Sequence, residues 1–109
     1  MSTPTPRIRL SATDIARGEI IELRTMVTHP MEPGTRRDQD DRLLPRNILH
    51  SFRAEFGGEV VFEAALEPAI AANPFLQFSF APLESGTLRL VWLGEDGLEV
   101  TATEEITVT

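Results

Sequence analysis

Apolar and polar residues alternate along most of this chain with a period of two, and this alternation constrains the fold more than any other feature. Only an extended strand places successive side chains on opposite faces of the backbone. In the segment from Ile20 to Thr28, for example, Ile21, Leu23, Thr25 and Val27 fall on one face. The period of 3.6 residues that marks an amphipathic helix is nearly absent. The sequence therefore predicts an all-β fold.

Seven segments carry this pattern, and turn signals separate them. Gly57-Gly58 is typical of a two-residue hairpin, and Gly94 to Gly97 is typical of a tight turn. Each segment has one apolar face, so two packed sheets can bury all of these faces together. We therefore predict an immunoglobulin-like β-sandwich of about seven antiparallel strands. The predicted strands are Arg7–Leu10, Ile20–Thr28, Ile48–Phe56, Glu59–Leu66, Phe75–Ala81, Thr87–Leu93 and Leu98–Val108.

Two of these strands illustrate the predicted core. In the fourth strand the alternation assigns Val60, Phe62, Ala64 and Leu66 to the buried face. In the sixth strand it assigns Leu88, Leu90 and Trp92 to the buried face. The length of 109 residues is enough for one domain and too short for two. We expect a single domain over residues 1–109, with residues 1–6 as a flexible N-terminus.

The overall charge excludes several classes of partner. The formal net charge is −7, whereas nucleic acids and anionic membranes need a basic surface. No segment approaches the roughly 20 apolar residues of a membrane-spanning helix. The N-terminal residues lack the positive region and apolar run of a secretory signal, so the sequence taken alone favours the cytoplasm.

The side chains that catalysis needs are scarce. The chain has two histidines and neither cysteine nor tyrosine. His50 and Ser51 are neighbours on a predicted strand, so they point to opposite faces and cannot form a nucleophile–base pair. Asp38, Asp40 and Asp41 lack the spacing of a calcium-binding loop. We expect no enzymatic activity, no catalytic residue, no metal site and no cofactor.

A copper site is one alternative. Met26, His29 and Met31 offer thioether and imidazole donors near the start of a long connection, and His50 can reach the same place. The competing interpretation is that His29 caps the strand end while the methionines fill gaps beneath the connection. The residues alone leave both interpretations open.

Apolar residues on otherwise polar faces favour a role in protein binding. Val91 and Leu93 flank Trp92, so burial of Trp92 predicts that both are exposed. The other residues of this kind are Leu49, Val61 and Phe75.

The connection from His29 to Asn47 also favours protein binding. It is much longer than the median loop of about 4–6 residues, and long ordered loops in compact domains tend to carry function. Its positive and negative charges nearly cancel, so ion pairs can order it. The residues that we predict to contact a partner are His29, Met31, Arg37, Leu43, Leu44, Val61, Phe75, Val91 and Leu93.

The runs Thr-His-Pro-Met-Glu-Pro-Gly from Thr28 to Gly34 and Ala-Asn-Pro-Phe-Leu from Ala72 to Leu76 together resemble the SoxZ family of the thiosulfate-oxidising Sox system. The resemblance extends from about Arg7 to Val108 and depends mostly on these two runs. The matching segments are Arg7-Ile8-Arg9, Gly18-Glu19-Ile20, Thr28 to Gly34, Arg37-Asp38, Pro45 to Ile48, Phe52, Ala72 to Leu76, Ser85-Gly86 and Trp92.

The resemblance implies a specific role. A SoxZ protein forms a heterodimer with SoxY, which holds sulfur intermediates on a C-terminal cysteine, and it performs no chemistry itself. Other Sox enzymes are expected as transient partners, and the isolated chain is expected to be able to form a homodimer. The resemblance also implies a periplasmic location, reached by co-export with SoxY without a signal of its own. Two alternatives remain: a periplasmic copper-binding module and a self-associating structural module.

Overall fold

The computed structural model describes residues 5–67, 70 and 72–109, apart from the side chain of Asp96. Eight strands and one 3-10 turn, Glu95–Gly97, make up its regular structure, and no α-helix occurs among these residues. The strands are β1 Arg7–Leu10, β2 Asp14–Ile15, β3 Ile21–Met26, β4 Leu49–Phe56, β5 Glu59–Ala65, β6 Phe75–Phe80, β7 Gly86–Gly94 and β8 Glu99–Val108.

The strands form two sheets, which confirms the predicted β-sandwich. One sheet has the order β1-β3-β6 and the other has the order β2-β8-β7-β4-β5. All seven predicted strands are present, with ends that differ by no more than a few residues. Strand β2 was not predicted, because two residues are too few to carry an alternation. It pairs parallel to the end of β8, with Ile15 opposite Val108.

A cluster of aromatic rings joins the two sheets. Phe52 on β4 packs against Trp92 on β7 at a centroid distance of 4.9 Å, and it lies 6.0 Å from Phe78 on β6 of the other sheet. Phe62 on β5 stacks on Phe78 at 4.6 Å. Phe52 and Trp92 are fully buried. The predicted inward face of β7 is therefore confirmed.

A β-bulge changes the predicted phase of β5. Ala54 pairs with Phe62, but the next residue, Glu55, pairs with Val60, so Val61 has no partner on β4. The bulge removes Val60 from the core face, and its side chain is 50% exposed. The prediction that Val60 is buried was wrong, because an inserted residue interrupts the period of two.

The predicted flexible N-terminus lies mostly outside the description. Residues 1–4 are not among the described residues, and Thr5 and Pro6 precede β1. No helix in the described part of the chain is long and apolar enough to cross a membrane.

Phe52→Ala tests the importance of the ring cluster. We expect it to lower the free energy of unfolding by about 3–5 kcal/mol, because it leaves a cavity between the two sheets. The matched control is Phe75→Ala, which removes the same side chain from a site that is 57% exposed and is expected to change stability by less than about 0.5 kcal/mol. Urea unfolding of both variants gives the measurement. Equal losses in the two variants would contradict the central position of Phe52.

Candidate partner-binding surfaces

The long connection between β3 and β4 is an ordered hairpin. Near its base, Glu32 and Asn47 exchange two backbone hydrogen bonds of 2.8 Å. Further out, Arg37 pairs with Leu43, and the Leu44 N–H donates to the Arg36 carbonyl at 2.9 Å. We call residues 29–48 the β3–β4 hairpin. Its backbone hydrogen bonds fix one conformation for the exposed side chains at its outer end.

Asp38 stabilises the turn at the tip of this hairpin. Its Oδ1 accepts hydrogen bonds from the Asp40 N–H at 2.9 Å and from the Arg42 N–H at 3.0 Å. Asp41 adopts a φ of 60°, and its carbonyl accepts a bond of 2.8 Å from Arg37. Asp38 and Asp41 therefore have local structural roles in the turn.

Ion pairs hold both sides of the hairpin. Arg36 binds Glu32 through a forked contact with bonds of 2.7 and 3.0 Å. The hydrogen bonds from Arg36, and then its charge, lower the pKa of Glu32 against the opposing effect of desolvation. On the other side, Arg46 Nε lies 2.7 Å from Glu95 Oε1, which ties the hairpin to the turn between β7 and β8. The predicted ordering by ion pairs is therefore observed.

His29 and Met31 form the buried base of the hairpin. His29 Nδ1 accepts a hydrogen bond of 3.0 Å from the Met31 N–H, and Met31 Sδ accepts one of 3.3 Å from the Leu49 N–H. The backbone of His29 also exchanges two bonds with Asn73, of 2.7 and 2.9 Å. Both side chains are buried. In this chain they therefore support the hairpin from beneath and offer no direct contact surface.

Burial favours the neutral form of the His29 imidazole. Desolvation by burial lowers the pKa of His29, and only the nearby Asn47 side chain acts in the opposite direction. Because Nδ1 accepts a hydrogen bond, the proton of the neutral ring lies on Nε2. That nitrogen is buried and has no hydrogen-bond partner of good geometry among the described residues.

The same contacts bear on the copper alternative. The donor atoms His29 Nδ1 and Met31 Sδ already accept backbone hydrogen bonds. The structural interpretation, in which His29 and Met31 pack under the loop, accounts for both residues. The described residues also contain no group of three or more His, Cys, Asp or Glu side chains arranged to hold a metal ion.

The prediction that Val91 is exposed was wrong. Val91 points to the outer face of the five-stranded sheet, but it is only 3% exposed. Its strand lies in the middle of the sheet, so Arg53 on β4 and Thr101 on β8 flank it on both sides. Long side chains such as Arg53 cover apolar neighbours on a sheet face. Leu49 is buried as well, since it lies beneath the base of the β3–β4 hairpin.

The remaining predicted contact residues are accessible but do not form one surface. Leu43 and Arg37 face each other near the hairpin tip, and Leu43 is 57% exposed. Val61 lies at the bulge on edge strand β5, and Phe75 lies on the three-stranded sheet. The half-buried members of the set are Leu44 and Leu93. Whether these residues contact a partner stays a prediction.

The sequence analysis did not identify a basic face on the three-stranded sheet. The register places Arg9 on β1 directly opposite Arg24 on β3, with Arg7 two residues away on the same face. The same register places Arg7 opposite Met26, which in turn pairs with Phe75 on β6. Alternation predicts that each arginine points outward. Only the pairing register brings them together.

Comparisons with known proteins agree with this architecture. The sequence model of the family described as "Sulphur oxidation protein SoxZ" matches residues 8–105. No curated protein sequence matches the chain.

Three solved structures illustrate the shared fold. A putative superoxide reductase from Thermotoga maritima has a TM-score of 0.73 at 13% identity, covering 99% of this chain and 88% of that chain. The superoxide reductase (neelaredoxin) from Ignicoccus hospitalis has a TM-score of 0.70 at 19% identity, covering 96% and 80%. The sulfur carrier protein SoxY from Chlorobium limicola f thiosulfatophilum has a TM-score of 0.66 at 13% identity, covering 96% and 79%. At these identities the likeness concerns the fold alone.

The burial of His29 at the base of the hairpin predicts that the protein loses stability in mild acid. Because the pKa of His29 is lowered in the folded chain, the unfolded chain binds a proton first as the pH falls below about 6.5. The free energy of unfolding should therefore decrease from about pH 6.5 toward the lowered pKa and then level off. His29→Asn retains an acceptor for the Met31 N–H but does not titrate, so it should lack this decrease. Urea unfolding at a series of pH values gives the measurement.

His50→Asn is the matched control for that experiment. It removes the other histidine, which is exposed on β4, and should retain the decrease. The range above about pH 5 is the informative one, because the unfolded-state protonation of Glu32 begins below it. Parallel curves for the wild type and His29→Asn in that range would refute the assignment to His29.

Proposed function

This chain belongs to the SoxZ family of sulphur oxidation proteins, and from this premise we propose that it is the non-catalytic partner of SoxY in a sulfur-carrier complex. In this proposal SoxY holds the sulfur intermediates of thiosulfate oxidation on its C-terminal cysteine. The present chain completes the carrier and helps to present it to other Sox enzymes. The observation that carries the proposal is the match over residues 8–105, which covers the whole β3–β4 hairpin and both sheets except for Arg7 and the last three residues of β8.

The chemistry of the side chains supports a non-catalytic role. The sequence contains no cysteine, so it offers no thiol to which sulfur could be attached. One of its two histidines, His29, is buried with Nδ1 engaged at the base of the hairpin. A general base must be able to reach the proton that it abstracts. His29 is instead fixed in a position that orders the backbone.

We propose that SoxY contacts exposed members of the predicted set. Leu43, Val61 and Phe75 are apolar side chains between 36% and 57% exposed. Large apolar and aromatic side chains that become desolvated supply much of the energy of protein interfaces. His29 and Met31 contribute indirectly, because they hold the hairpin that carries Leu43.

We also propose that the complex works in the periplasm. In this account the chain is exported together with SoxY, whose twin-arginine signal serves both subunits. Cell fractionation tests this directly, with and without co-expressed SoxY. We expect the chain in the periplasmic fraction only when SoxY is present. An equal distribution under both conditions would contradict co-export.

The pairing itself is tested by co-expression with a candidate SoxY and measurement of the native mass. We expect a stable 1:1 heterodimer. Elution of the two chains as separate species, with self-association of the present chain, would instead favour the alternative of a structural module.

Aspartate substitutions at single exposed residues then locate the contact with SoxY. Leu43→Asp, Val61→Asp and Phe75→Asp are each compared with Ile20→Asp, a control at a residue that is 64% exposed and outside the predicted set. A charge placed in the desolvated centre of the interface should weaken the heterodimer roughly ten-fold or more, and the control should not. Val91→Asp is unsuitable, because Val91 is buried and the variant would perturb the fold.

A further inference from the structure

The outer face of the three-stranded sheet carries positive charge in an otherwise acidic protein. Reading across the strands, one row consists of Arg7, Met26 and Phe75, and the next row places Arg9 beside Arg24. All three arginines are exposed. The chain as a whole has a net charge of −7. We call these five residues the arginine face.

The three arginines lack the carboxylate partners that most other arginines have. Among the described residues, none of the three takes part in an ion pair or a side-chain hydrogen bond. By contrast, the arginines at positions 36, 37, 46, 53 and 89 each lie within ion-pair distance of a carboxylate. Arginine–carboxylate pairing is the favourable arrangement on a protein surface. Within the described residues, the three arginines of this face therefore have no carboxylate at ion-pair distance, although Glu22 lines the same groove as Arg9 and Arg24.

The register makes this arrangement unfavourable for the isolated chain. Arg9 and Arg24 are directly opposite each other on adjacent antiparallel strands, and like charges in such pairs repel. Glu22 lies on the same face, one row beyond them, and forms no ion pair within the described residues. An external group with negative charge would remove the repulsion.

The shape of the surface favours a macromolecule over a small anion. The grooves over the face are shallow, with volumes of about 240 and 320 Å³, and strand residues rather than a closed pocket line them. Phe75 is 57% exposed at one end of the face, beside the half-buried Met26. Arginine and aromatic side chains are enriched at the centres of protein interfaces. A small oxyanion would bind the arginines without contacting Phe75.

We propose that the arginine face binds an acidic, extended segment of a partner protein, with its carboxylates on Arg7, Arg9 and Arg24 and an apolar side chain on Phe75. Charge complementarity favours this partner at the arginine face, because the chain as a whole carries an excess of negative charge that disfavours an acidic segment elsewhere. The spacing of the arginines also agrees with an extended segment. Alternate residues of an extended segment lie about 6.6–6.8 Å apart, which is the spacing of Arg7 and Arg9 along β1. The inference does not depend on pairing with SoxY.

The probe is a synthetic peptide of about ten residues in which alternate positions, which face one side of an extended chain, carry three glutamates followed by a leucine, with serine at the positions between them. A second peptide has the same composition with its glutamates in one block. Titration of the full-length, isotopically labelled chain is followed by NMR. We expect shift changes confined to β1, β3 and β6, together with weaker binding of the blocked peptide.

Two double variants with the same change in net charge give the decisive comparison. Arg9→Gln with Arg24→Gln should weaken binding roughly five-fold or more, because it removes two ion pairs. Arg17→Gln with Arg42→Gln is the matched control, since both are exposed arginines away from the face, and it should leave the affinity within about two-fold. Phe75→Ala should weaken binding while leaving the fold intact.

Three results would overturn the inference. The first is the absence of binding, and the second is an equal loss of affinity in both double variants, which would indicate a non-specific charge effect. The third is displacement of the peptide by sulfate at an ionic strength at which chloride does not displace it, which would indicate a small-oxyanion site. Because these titrations contain no SoxY, a failed heterodimer does not influence any of them.

Discussion

Phe52 lies where the two sheets meet, and its ring contacts determine how the rest of the molecule is arranged. It packs on Trp92 within its own sheet and approaches Phe78 of the other sheet. Aromatic pairs at such distances contribute beyond the burial of their area. The chain has no disulfide bond that could hold the sheets together, so their relative position depends on this apolar packing. The β3–β4 hairpin leads directly into β4, the strand that carries Phe52.

The hairpin illustrates how buried polar groups can order an exposed segment. Its backbone leaves β3 through His29 and Met31, and their side-chain acceptors bind the backbone N–H groups of Met31 and of Leu49, the first residue of β4. Unpaired buried donors are costly, so each such bond restricts the path of the chain. The pairs formed by Arg36 and Arg46 then fix the exposed part. The neutral state of His29 is a consequence of the same burial, which links the pH dependence of stability to the hairpin base.

Much of the fold could be predicted from the sequence, whereas the surfaces could be predicted only in part. Alternation is a local property, so it located seven strands and the buried face of β7. It could not reveal β2, whose two residues depend on the end of β8, or the bulge that exposes Val60. Exposure also depends on neighbours in the sheet, which is why Val91 is buried although it points outward. The arginine face was missed for the same reason, because its residues meet only through the pairing of β1 with β3.

The two faces of β3 illustrate how a strand can carry an unfavourable surface arrangement. Its inner side chains, Ile21 and Leu23, are completely buried, and burial of such side chains stabilises a protein by about 1.5–3 kcal/mol each. Repulsion between exposed arginines in water is smaller, since solvent and salt screen it. The inner face therefore maintains the strand while the outer face retains charges that fit a partner. Because the two faces alternate residue by residue, the packing that fixes the sandwich also sets the spacing of the arginines.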